Sequence, residues 1–209
     1  MATQKLTIAV LGAGNIGGTI GRKWVNAGHE VIFGVNDIHG KNAQSLRDEL
    51  GDRAKIGTIA DALGNNPNVV FMAIPGTAME STIAQYASQL DGRIIIDSAN
   101  RMGTSTMNSF ASLQQHTPNA RIYRAFNTYG FENFANPEFD GIQADLFYCG
   151  TEGDSRAIVE QLISAIGLRP VYLGGVGQVG IVDGIAGIWF ALALGQKRGR
   201  HLAFKVLER

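Results

Sequence analysis

Cysteine occurs once in the 209 residues, at Cys149. That excludes an internal disulfide framework and a cysteine-ligated zinc site. Charge of either sign is not in excess: 18 lysines and arginines face 18 aspartates and glutamates. A chain so balanced lacks the basic surplus that binding to nucleic-acid phosphates or to an anionic membrane surface requires. The four histidines, His29, His39, His116 and His201, show no metal-ligand spacing. No G-x-S-x-G elbow is present and no Cys–His arrangement is visible. No internal repeat or long linker interrupts the chain. The opening Met1-Ala2-Thr3-Gln4-Lys5 runs straight into a strand-like segment and does not read as a signal peptide, so a cytoplasmic setting is expected.

Glycine is abundant: 27 residues, about twice ordinary usage. These glycines stand at the ends of apolar runs, where backbone must turn or lie close to something. Hydrophobic residues make up 45 %, ample for a packed core. The apolar runs Leu6–Leu11, Glu30–Phe33, Val69–Ile74, Arg93–Asp97 and Arg121–Ala125 read as buried strands, with weaker ones at Lys55–Ile59, Leu146–Cys149 and Val171–Leu173. Helical patterns lie between them. Ile16, Ile20 and Trp24 share one face of the first, Lys41–Leu50 forms the second, and Ile158, Leu162 and Ile166 share a face of a later one capped by Asp154 or Ser155. Thr77 and Glu80 have capping-box spacing at the start of a helix running to about Ser88.

This alternation predicts an α/β fold: a doubly wound parallel sheet of the Rossmann type in a single domain over residues 1–209, with a short helical C-terminal extension from about residue 140. The apolar run after Asp183 is about a dozen residues, short of the roughly 20 that span a bilayer, so a membrane helix is not expected. Gly180–Gly195 is either a buried terminal helix or a dimer-interface helix whose Gly180, Gly184 and Gly187 admit another backbone.

The chemistry sits at the strand ends. Gly12-Ala13-Gly14-Asn15-Ile16-Gly17 is a complete G-x-G-x-x-G between a buried strand and an amphipathic helix, the setting in which this pattern binds a dinucleotide. Gly12 permits the turn, Gly14 lets main chain approach a pyrophosphate, and Gly17 lets the helix pack on the strand. The position that holds a ribose-binding carboxylate in NAD sites is Val35 here, with Asn36 next and Asp37 beyond. A missing carboxylate removes repulsion of a 2′-phosphate, so NADP is expected, with NAD the alternative. Lys41 and Arg22 are the nearby cations. Past the other strand ends, Asn100 and Asn127 are candidates to hold the nicotinamide amide or ribose, and Ile74 and Pro75 to floor the ring. Phe126, Tyr129 and Trp189 are either walls for a second, flat substrate or core. The absence of acid–base machinery suits hydride transfer, which needs alignment and exclusion of water.

Several segments resemble the bacterial and archaeal NADP oxidoreductases that use the deazaflavin coenzyme F420: GAGNIGG at Gly12–Gly18, GHEVIFG at Gly28–Gly34, Ala73-Ile74-Pro75, Ala125-Phe126-Asn127-Thr128, FENFANP at Phe131–Pro137, Ala144–Gly150 and Leu202-Ala203-Phe204-Lys205. The first domain of pyrroline-5-carboxylate reductases is also similar, more distantly. The resemblance implies hydride exchange between a nicotinamide and a deazaflavin or flavin-like partner bound face to face, in a protein that is often a homodimer. By position it implies Gly14, Asn15 and Ile16 at the pyrophosphate, Asn36 and Lys41 at the 2′-phosphate, and Ile74, Asn100 and Asn127 around the nicotinamide. The chain departs from the pattern at Val35-Asn36, where Ser-Arg is common. A ferric, flavin or imine reductase, or a non-enzymatic dinucleotide-binding redox module, are the alternatives.

Overall fold

A computed structural model describes residues 4–209; the Met1-Ala2-Thr3 start, on which the reading of the N-terminus drew, lies outside the described residues. The order begins β1 (Thr7–Leu11), α1 (Asn15–Asn26), β2 (Glu30–Gly34), α2 (Lys41–Leu50), β3 (Ala54–Gly57), α3 (Ile59–Gly64), β4 (Val69–Met72), α4 (Met79–Gln85), α5 (Ala87–Leu90) and β5 (Ile94–Asp97). It continues with α6 (Phe110–His116), β6 (Arg121–Arg124), α7 (Phe131–Ala135), a β7–β8 hairpin (Glu138–Phe139 and Ile142–Gln143), β9 (Asp145–Gly150), α8 (Ser155–Ala165), β10 (Arg169–Tyr172) and α9 (Val179–Phe190).

The main sheet has eight strands in the order β10-β9-β6-β5-β4-β1-β2-β3. Strands β1 to β6 are mutually parallel in the 3-2-1-4-5-6 order of dinucleotide-binding sheets. The strands β1, β4 and β5 are apolar on both faces because helices cover both sides: one core gathers Trp24, Phe33, Phe71 and Ile96, the other Ile32, Met72, Met79 and Ile95. The fold expected from the sequence is therefore the one adopted. The sheet is not parallel throughout, however. Strand β9 runs antiparallel to β6, and β10 is parallel to β9. The connection from β6 to β9 carries only the five-residue α7 and the β7–β8 hairpin, with no helix of the kind that usually forms a parallel crossover.

Two local expectations are corrected. Thr77 and Glu80 form no capping box: Gly76–Ala78 is a 3₁₀ turn, no side chain caps α4, and the Glu80 carboxylate is taken by Arg101 at 2.8 Å. The capping box is at α3, where the Thr58 hydroxyl accepts from the Asp61 amide and the Asp61 carboxylate accepts from the Thr58 amide. Asp154 precedes α8 as expected, but its side chain makes no cap bond.

The terminal helix is neither wholly buried nor as short as its sequence suggested. Val176–Gly195 is helical over 20 residues with a mean hydropathy of 1.6, long and apolar enough to cross a membrane by length and composition. Only one face is sealed, by Val182, Asp183, Ala186 and Trp189. Ile181, Ile188 and Leu194 are each more than half exposed on the other. The sealed face is tied to the body by polar bonds: Asp183 pairs with buried Arg124, and the Trp189 indole donates to the Leu202 carbonyl. The tail beyond α9 folds back over the far edge of the sheet. Buried Asp145 gathers it, accepting from both Arg169 nitrogens, from Lys205 Nζ and from the Val206 amide.

Candidate dinucleotide site

The cleft at the carboxyl ends of β1, β2 and β4 has a volume of about 570 Å³. It is lined by Gly12, Ala13, Gly14, Asn15 and Ile16 on one side, Asn36, Asp37 and Lys41 on another, and Ile74 and Pro75 at the base. That size suits a ligand in the usual range of small-molecule sites. Nine of the twelve site residues expected from the sequence thus share one cavity. Gly17, Asn100 and Asn127 do not line it.

The glycine loop is shaped by close approach. Gly12 has φ +105°, and a Cβ there would lie 2.5 Å from the Ala73 carbonyl oxygen. A Cβ on Gly17 would lie 2.1 Å from the Gly12 carbonyl oxygen, so Gly17 serves helix–strand packing rather than ligand contact. Gly14 is different: nothing lies within 4 Å of the place its Cβ would occupy. The open space stands over the start of α1, whose N-cap is Gly14 with no side-chain cap bond and whose first turn carries no acid. The first-turn amides of α1 therefore face the cleft without an internal partner, an arrangement that binds anions. This is the fit expected for a pyrophosphate.

A second uncapped helix start faces the same cleft. α2 begins after Gly40 with no side-chain cap and no acid in its first turn, and Lys41 and Asn42 line the cavity there. Asp37 is occupied locally, its carboxylate accepting from the His39 amide at 2.9 Å. Val35 is buried. Arg22, considered as a phosphate ligand, does not line this cleft but an adjoining recess beside Gly14 and Asn15, where its Nε donates to Glu49 at 2.6 Å and Nη2 to Ser45 at 3.4 Å.

The aromatic wall is not found. Phe126, Tyr129 and Trp189 are all at most 5 % exposed. Phe126 stacks edge-on with Trp24, Phe71 and Phe134, and Tyr129 packs on Phe134 and Phe204. Phe126 is core because β6 ends in an unusual backbone. Phe126 has φ +62°, a left-handed conformation rare for a bulky residue. The turn drops its ring inward and carries Asn127 and Thr128 across the strand end.

At that end the structure assembles charges that the sequence reading did not connect. Asp97 closes β5 and Arg124 closes β6, opposite each other in register, and both are fully buried. Arg124 Nη1 lies 3.1 Å from Asp97 Oδ1 and donates to the Ala99 carbonyl at 2.6 Å, while Nη2 donates to Asn100 Oδ1 at 2.6 Å. Its Nε donates to Asp183 Oδ1 of α9 at 2.8 Å. Burial pushes the Asp97 carboxyl above the usual carboxylate range, against the pull of Arg124 and of the Ser109 and Ala99 amides. The sequence signal was faint: an arginine ending an apolar strand, and a single acid inside an apolar helix.

A Rossmann sheet with a bare glycine loop at its switch point defines a dinucleotide-binding protein. Over residues 7–101 the chain matches the family described as NADP oxidoreductase, coenzyme F420-dependent. In sequence it is 26 % identical over 131 residues to a glycerol-3-phosphate dehydrogenase [NAD(P)+] of Pseudomonas fluorescens. That match covers 57 % of this chain and 38 % of the dehydrogenase, so the chain spans well under half of that relative. In structure it is similar to a candidate F420-dependent NADP reductase from Arthrobacter sp. FB24, with TM-score 0.84 and 22 % identity over 97 % of this chain and 100 % of that one. It is also similar to a pyrroline-5-carboxylate reductase of Coxiella burnetii, with TM-score 0.63 and 13 % identity over 93 % of this chain and 72 % of that one. At those identities the two structures speak for the fold.

Proposed function

We propose that the protein is an NADP(H)-dependent oxidoreductase that exchanges hydride between the nicotinamide and a flat, conjugated acceptor of the deazaflavin or flavin type. The observation that carries the reading is the cleft with two uncapped helix starts: α1 behind Gly14 for the pyrophosphate, and α2 with Lys41 and Asn36 for a 2′-phosphate. The family matched by residues 7–101 and the likeness to a candidate F420-dependent reductase support the choice of acceptor. When bound, the nicotinamide would supply a hydride at its ring carbon. The chain's own part is to hold the phosphates on backbone amides and to floor the ring with Ile74 and Pro75. Calorimetry with NADPH and NADH tests the first half: NADPH binding at least about tenfold tighter is expected, and Lys41→Ala should remove much of the difference. Bleaching of deazaflavin absorbance on mixing with NADPH tests the second. Reduction of free flavin or a cyclic imine with no deazaflavin bleaching would favour the alternative reductases, and tight binding with no turnover a redox-sensing module.

We further infer that the exposed face of α9 seats a second copy of the chain. Ile181, Gly184, Gly187 and Ile188 are exposed there on an apolar face without charge, as the contact of a two-fold dimer would use. Ile188→Glu should convert a dimer to monomer in light scattering.

A further inference from the structure

The polar groups at the ends of β5 and β6 form a connected chain that a carboxylate of α9 anchors. Asp183 can only accept when ionised. Its Oδ1 takes Arg124 Nε at 2.8 Å and Asn127 Nδ2 at 3.4 Å, and its Oδ2 takes Asn108 Nδ2 at 2.7 Å. Arg124 in turn donates to Asn100 Oδ1, which leaves Asn100 Nδ2 to donate to the Asn127 carbonyl at 2.8 Å. Asn127 is therefore oriented from α9 through Asp183, while Asn100 is oriented by Arg124 and the Asn127 main-chain carbonyl.

One end of this chain is open. Asn127 Oδ1 is buried and has no partner, and the neighbouring Thr128 hydroxyl is likewise buried and unpaired. Leaving a buried acceptor without a partner is costly, and a bound ligand is one way in which such an atom is completed. The location fits. Ile74 and Pro75 end the cleft, Gly76 follows and packs on the Asn100 main chain, its missing Cβ 2.6 Å from the Asn100 carbonyl oxygen, and Asn100 bonds Asn127.

We propose that Asp183 is a positioning residue: by holding Asn127 Nδ2 and Arg124 Nε it presents Asn127 Oδ1 as an acceptor for an N–H donor, the carboxamide of the nicotinamide. This rests on the nicotinamide-nucleotide reading above. The geometry also explains why an otherwise apolar helix keeps a buried acid, since a buried ion pair is weak evidence for stability by itself and well-packed apolar groups often do as well.

The test compares three probes on the whole protein: NADP+, its 3-acetylpyridine analogue, in which a methyl ketone replaces the amide and offers no N–H, and 2′-phospho-ADP-ribose, which lacks the ring. Wild type should prefer NADP+ over the analogue by about tenfold. Asp183→Asn, which lets the Asn127 amide turn, should bring that ratio near one while 2′-phospho-ADP-ribose affinity changes by less than about twofold. Asn127→Ala should abolish the same ratio, and it decides the matter for the acceptor atom should Asp183→Asn not fold. No preference in wild type, an unchanged ratio in either variant, or equal weakening of all three probes by Asp183→Asn overturns the proposal. If wild type binds neither NADP+ nor 2′-phospho-ADP-ribose, the nucleotide reading itself fails. If it binds both without discriminating against the analogue, only the Asp183 assignment does.

Discussion

The two ends of the candidate site are built by different means. The end at β1 and α1 is made of backbone: its shape comes from Gly12 and Gly17 packed against carbonyl oxygens, and its chemistry from amides left free over Gly14. The end at β5, β6 and α9 is made of side chains: a buried guanidinium between two carboxylates, with three asparagines ordered around it. A backbone site tolerates change wherever space is free and fails wherever a Cβ collides. A buried charged network fails when any member is removed, because the others remain desolvated without a partner.

The sharpest way to break this contrast is at Arg124. Arg124→Met strands Asp97 and Asp183 and should cost about 3–5 kcal/mol in denaturant unfolding. A loss under about 1 kcal/mol would mean that the network is not a unit. At the backbone end the contrast can be sharpened with two alanine substitutions three residues apart in sequence. Gly17→Ala meets the Gly12 carbonyl and should lower stability by about 1–3 kcal/mol. Gly14→Ala meets nothing and should stay within about 0.5 kcal/mol of wild type, while NADP+ affinity falls on the order of tenfold in calorimetry. Equal thermal shifts for the two would remove the distinction between packing and ligand glycines.

Smaller effects test regions away from both ends. Thr58→Ala removes the α3 cap and should cost about 1 kcal/mol, with a melting shift of about 2–4 °C and no change in the NADP+ to analogue ratio. His29, buried at the opposite end of β2, accepts from the Leu6 amide through Nδ1, and burial holds its pKa below the ordinary value. The folded state therefore binds fewer protons than the unfolded one just below pH 6.5, and stability falls as pH drops through that window. His29→Asn, which retains an acceptor for Leu6, should flatten this acid limb in pH-dependent unfolding. An unchanged limb would assign it to other groups.

Much of the fold was legible because its signals are local. Val69–Met72 and Ile94–Asp97 stand out as continuous apolar runs, and α2 was placed at Lys41–Leu50 with its observed bounds. The short α3, α6 and α7 were missed, since helices of five to seven residues depend on tertiary packing more than on periodicity. The Thr77–Glu80 spacing misled because Arg101, distant in sequence, claims the carboxylate.

By itself the sequence determined the six parallel strands of the sheet and the glycine loop, because a turn without room for Cβ and a strand buried on both faces each leave their mark in a few consecutive residues. Only the tertiary structure decided the reversed β9–β10 edge, the inward turn of Phe126 and the union of Asp97, Arg124 and Asp183. Those three charges lie 27 and 59 residues apart along the chain, and the energy that joins them exists only once water has been excluded from between them.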